Sequence, residues 1–146
     1  TLQSSEEIAA MLGEVGIDVD LSTTQPNTAY TEMAKGETHL MFASLGWFTA
    51  DVMQFMLSSA LAGASNLQFL KDDKVDQYLN EAARTLDDEK RAEIYEKMQL
   101  RVMELCATVP IMTGAEETAV RSEFTGYHYL PGAAGNIWLD VRLEDE

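Results

Sequence analysis

The residues best placed to do chemistry lie in one stretch. An apolar run, His39 to Leu45, is followed by Gly46-Trp47, then by Phe48-Thr49-Ala50-Asp51. The run lacks helical spacing and reads as a strand buried on both faces, and Gly46 lets the backbone turn where that strand leaves its sheet. Open α/β sheets hold their ligands beyond the carboxyl ends of strands, which places Trp47 and Asp51 beside a bound molecule. A carboxylate there can form a charge-assisted hydrogen bond with a ligand ammonium, stronger in a closed, water-poor cleft than in solvent. The competing role for Asp51 is a side-chain cap on a helix starting at Val52. Trp47 either lines the pocket or plugs the core.

Other reactive side chains form no constellation. His39 falls in the apolar run, His128 lies between two tyrosines, and neither is spaced from a nucleophile as a catalytic pair would be. Cys106 shares a helical face with Val102 and Leu105, which predicts a buried structural thiol. No HExxH, no phosphate-binding glycine loop and no GxSxG elbow occurs, so the chain reads as a non-enzyme needing no cofactor or metal. The eight methionines fall mostly on inward faces and read as core. The acidic pairs Asp72-Asp73 and Asp87-Asp88 each open a helix and read as caps that complement its dipole.

The elements that must position Asp51 follow from periodicity. A capping box, Ser4 with Glu7, opens a helix that ends near Gly16, and Ile17 to Leu21 alternates as a strand. A short helix with Tyr30, Met33 and Ala34 inward stops at Lys35-Gly36, before the apolar run. Strand, helix, strand over 17 to 47 predicts a parallel crossover unit. After a short helix around Phe55 to Leu61, two longer helices follow. One has Val75, Tyr78, Leu79, Ala82 and Leu86 on one face, and the other, capped by Asp87, has Ala92, Ile94, Tyr95, Met98, Val102 and Leu105. Ile111 to Thr113, Thr118 to Arg121 and Trp138 to Leu143 read as further strands. The fold class expected is therefore α/β, a single lobe over 1–146 with helices packed on a mixed, mostly parallel sheet.

At 146 residues and 46% hydrophobic content the chain can bury a core of its own. Ten basic against twenty-five acidic residues leave a net charge of −15, which disfavours nucleic acid and anionic lipid as partners. The start at Thr1, immediately before a helix, suggests a piece of a longer protein.

The order of these features resembles the family 5 extracellular solute-binding proteins, the peptide- and nickel-binding components of bacterial ABC importers. The resemblance rests on Val15-Gly16-Ile17-Asp18-Val19, Ala34-Lys35-Gly36-Glu37, Gly46-Trp47 and Lys74-Val75-Asp76-Gln77-Tyr78-Leu79 with Glu81-Ala82. It continues through Thr85-Leu86-Asp87, Arg91 with Tyr95, and Val109-Pro110-Ile111. It implies one lobe of a type II periplasmic-binding-protein-like fold, cut from the N-terminal lobe of the same chain. It further implies a periplasmic or extracellular setting, a lipoprotein anchor in some relatives, ABC permease subunits as partners, and a peptide or other small solute held between two lobes. Ligand contacts then fall on Ser44, Gly46, Trp47, Phe48 and Asp51. In peptide-binding relatives an aspartate after the Gly-Trp pairs with the ligand's α-amino group, and Asp51 is the only acid in the matching loop; it lies four residues after Trp47, where the usual spacing is three. The alternatives are a nickel or other-solute binder, or a sensory, pheromone-binding lobe that signals through a partner. One lobe alone is expected to bind its ligand weakly or not at all and, with strand edges exposed, to self-associate.

Overall fold

The computed structural model describes residues 2–44, 46–47, 49–114, 117–128 and 140–143. Along them run α1 (Leu2–Glu14), α2 (Pro26–Lys35), α3 (Val52–Leu57), a 3-10 turn (Ser59–Leu61), α4 (Asp73–Arg84) and α5 (Asp88–Glu104). Two short strands, β1 (Phe124–Thr125) and β2 (Arg142–Leu143), complete the order.

Helices α4 and α5 form the centre because each has a cap and one apolar face. Asp72 accepts from the Lys74 and Val75 amides and Asp87 from the Lys90 amide, so each helix has a side chain satisfying donors its first turn leaves open. Val75, Leu79 and Ala82 recur at helical spacing on α4 and meet Ile94, Tyr95, Met98 and Val102 of α5, with Leu57 of α3 closing the cluster. A second link crosses the pair: Arg101 donates to both Asp72 oxygens, at 2.8 and 3.4 Å, so the residue that caps α4 also ties it to α5. That guanidinium, followed by the two backbone amides, holds the Asp72 carboxyl below its ordinary value against the opposing effect of burial.

Between α3 and α4 the chain is fastened by Asn66, whose side chain is fully buried. Its Nδ2 donates to the Ser58 and Leu70 carbonyls and its Oδ1 accepts from the Leu70 amide, while Asp76 of α4 accepts from the Ser59 amide at 2.9 Å. The C-terminal end of α3 is thereby fixed against α4. Its N-terminal end carries Asp51.

The α/β expectation is overturned. Among the described residues the only sheet is the antiparallel pair β1 and β2, with Phe124 opposite Leu143 and Thr125 opposite Arg142, and apart from an isolated bridge between Ala62 and Asn66 the remaining elements are helical. Ile17 to Leu21, His39 to Ser44, Ile111 to Thr113 and Thr118 to Arg121 join no ladder, so among the described residues no mixed, mostly parallel sheet of a type II binding-protein lobe forms and no helix packs on one. Apolar alternation states which face a strand would bury, but a strand exists only when a second one takes its backbone donors and acceptors. The expected strand over Trp138 to Leu143 is represented by β2, and Trp138 and Leu139 lie outside the described residues.

Smaller corrections follow the same cause. Helix α1 starts at Leu2, so Ser4 lies inside it rather than at its cap, and none of its residues is buried. Helix α2 ends as read, with Gly36 at φ +74° donating to the Glu32 and Met33 carbonyls, a left-handed position that suits glycine. Leu86, placed on the inward face, is 94% exposed, because α4 ends at Arg84 and the chain has turned away. Ala92 and Leu105 are also exposed, as are His39 and Cys106, whose backbone takes φ +52° just after α5. Of the methionines, Met98 is fully buried and Met53 and Met56 pack on the core, whereas Met11, Met103 and Met112 are exposed.

Candidate functional site

Asp51 stands at the start of α3 in helical backbone geometry, φ −62° and ψ −17°, and its side chain makes no capping hydrogen bond. A capping side chain needs an extended backbone to reach back to the first-turn amides, and Asp51 lacks it. Its carboxylate turns toward α5 instead. The Tyr95 hydroxyl donates to Oδ1 at 2.8 Å, and the Thr49 hydroxyl donates to Oδ2 at 3.2 Å. Each oxygen keeps acceptor capacity beyond these bonds. Among the described residues no Lys, Arg or His side chain pairs with Asp51.

Around this contact lies an open cleft of about 510 Å³. The loop before α3 supplies Thr49, Ala50 and Asp51, and α5 supplies Asp88, Arg91, Ala92, Tyr95 and Gln99. Arg91, Tyr95 and Gln99 follow one another four residues apart, so a single stripe of the helix presents a guanidinium, a phenol and an amide to the same space. Asp88 accepts from Arg91 Nη2 at 2.6 Å, a pair in which Arg91 is 38% and Asp88 86% exposed. The arrangement suits binding: it offers an anionic point, a cationic point and neutral donors. No group of His, Cys, Asp and Glu able to hold a metal ion occurs among the described residues.

Tyr95 is buried except toward the cleft, and this sets its ionisation. Burial first, then the hydrogen bond to Asp51 and that carboxylate's charge, together push its hydroxyl up to about 12 against the opposing charge of Arg91. The folded protein thus favours the neutral phenol. The resulting stabilisation is complete below the unfolded value near about 10 and is lost as pH rises from there through about 12. Urea unfolding should therefore show the wild type losing on the order of 2 kcal/mol relative to Tyr95→Phe across that window. Parallel pH curves for the two proteins would show that the setting of Tyr95 does not raise its hydroxyl.

Of the residues expected at the site, Asp51 lies in the cleft. Ser44, Gly46 and Trp47 are exposed and are not among the residues lining it, and Phe48 lies outside the described residues. Tyr95 and Arg91 were legible as helix residues, Tyr95 as an inward one, and as a pair within the resemblance, but not as residues of the site. A tyrosine on a buried face needs a partner for its hydroxyl, which was the available clue that α5 faces a polar group. Compared with family models, curated proteins and solved structures, the chain matches none.

Proposed function

We propose that the chain is the ligand-capturing part of a solute-binding component serving an ABC-type importer, and that its solute carries a free ammonium, a di- or oligopeptide first of all. The observation that carries this reading is the state of Asp51. Exposed at a cleft, it accepts hydrogen bonds from two neutral hydroxyls and, among the described residues, has no cationic partner. A carboxylate held in one orientation by neutral donors keeps its charge for an incoming cation, and an ammonium supplies both that charge and hydrogen-bond donors. The Gly46-Trp47 pair ahead of the loop and the resemblance it belongs to point to the same class of solute.

The test is a titration of the protein with alanyl-alanine and with its N-acetyl derivative, followed by NMR shifts of α5 amides. Alanyl-alanine should bind and the acetylated form should not. Asp51→Asn should weaken binding by about 10- to 100-fold, the range of a hydrogen bond to a charged group. Equal binding of the two probes, or an unchanged affinity in Asp51→Asn, would remove the ammonium from the account.

A further inference from the structure

Helix α1 is apolar along one side, and the core leaves that side uncovered. Ile8, Met11 and Leu12, with Val15 in the turn just beyond the helix, recur at helical spacing and share a face. No α1 residue is buried, and Met11 and Val15 are 64% and 73% exposed. The buried cluster draws its residues from α3, α4 and α5 instead. A helix of 13 residues is marginal in water on propensity alone, and in proteins most helical stability comes from packing an apolar face. Helix α1 has the face without the packing.

The charges beside the face indicate what can cover it. Glu7 and Glu14 stand on one flank of the stripe, next to Met11, at the spacing of two helical turns. Glu7 accepts only from the neutral Gln3 amide, at 3.3 Å, and among the described residues neither glutamate joins an ion pair. Before Lys35 the chain carries Glu6, Glu7, Glu14, Asp18, Asp20 and Glu32 and no Lys, Arg or His. Residues that flank an apolar helical seam select the partner helix by opposite charge. A second copy of the chain does not meet that condition. Laid antiparallel, it sets its own two glutamates against these, and each copy carries a net charge of −15.

We propose that the exposed face of α1 docks a basic amphipathic helix of another protein, with apolar residues seated on Ile8, Met11, Leu12 and Val15 and Lys or Arg residues paired with Glu7 and Glu14. An amphipathic helix read through anchors at this spacing is a recurring mode of recognition. The surface shares no residue with the Asp51 cleft and stands independently of the solute bound there. Docking also supplies the packing that α1 lacks, so its helicity should rise on binding.

The experiment titrates the whole chain with two synthetic helical peptides, both with Leu along the seam, one flanked by Lys and the other by Glu, followed by calorimetry and NMR. The Lys peptide should bind, shift the α1 amides and slow their hydrogen exchange, and the Glu peptide should not bind. Glu7→Lys with Glu14→Lys should weaken the Lys peptide about tenfold and admit the Glu peptide, since two attractions become repulsions. Glu93→Lys with Glu96→Lys makes the same change in net charge on the exposed side of α5 and should leave binding unaltered. Met11→Ser should weaken the Lys peptide without lowering the melting temperature, because Met11 contributes nothing to the core. Equal binding of the two peptides, equal losses from the two charge reversals, or no binding overturns the proposal. So does concentration-dependent sedimentation of the chain alone that Met11→Ser abolishes, which would make a second copy the occupant. Asp51→Asn should not change any of these results, so the ammonium reading and this one fail separately.

Discussion

Asn66→Ala is expected to lower the unfolding free energy by about 3 kcal/mol or more, the sum of several hydrogen bonds lost inside a closed site. The carboxamide is fully buried, and its three bonds leave with it. The Ser58 carbonyl keeps the Leu61 amide as a donor, but the Leu70 amide and carbonyl both lose the partner that Asn66 supplied. The Asn66 side chain is closed to water and the Leu70 groups are partly so, which leaves much of their desolvation unrecovered. Asn66→Asp should be comparably damaging, because it keeps the acceptor, removes the donor and buries a charge. Urea unfolding followed by far-ultraviolet circular dichroism measures both variants, and a loss below about 1 kcal/mol would show that the segment between α3 and α4 is not held by this side chain. Since Ser58 directly follows α3, the same change should loosen the helix that carries Asp51 and weaken ligand binding with it.

Leu79→Ala should cost about 3 kcal/mol, within the range for truncating a buried leucine, and so a large part of the roughly 5–15 kcal/mol that stabilises a domain of ordinary size. Leu79 lies at the centre of the contact between α4 and α5, 1% exposed among Val75, Ala82, Ile94 and Met98. Truncation opens a cavity lined by both helices, and neither can move to fill it while Arg101 holds Asp72 across the pair. Leu79→Met, which conserves volume, should cost less than about 1.5 kcal/mol. Leu86→Ala, at the 94% exposed position just beyond α4, should change stability by no more than about 0.5 kcal/mol. Equal losses at Leu79 and Leu86 would mean that the two helices do not pack as a pair.

The contrast between Leu79 and Leu86 also marks how far local patterning carries. Both continue one apolar periodicity, but Thr85 takes an extended backbone, φ −95° and ψ 112°, and breaks the register before Leu86. Caps were readable because they are local: Asp72 and Asp87 satisfy amides two or three residues away, and Gly36 closes α2 through residues three and four before it. Asp51 was readable as a candidate anion from its type and its place after Gly46-Trp47. Its choice between capping α3 and facing a cleft was not, because both roles begin from the same residue at the same helix end.

From its sequence alone this protein was determined to have capped helices at α4 and α5, their apolar faces, the glycine end of α2 and one acid in the loop after Trp47. Each depends on contacts within a few residues, where residue type and spacing decide the energy. Tertiary structure alone decided that the apolar runs at Ile17 and His39 form no ladder, that Asn66 is buried, and that Asp51 meets Tyr95, 44 residues away in the chain. Pairing of that kind depends on which groups the packing of α3, α4 and α5 brings together and shuts from water, and no local pattern encodes the distance between them.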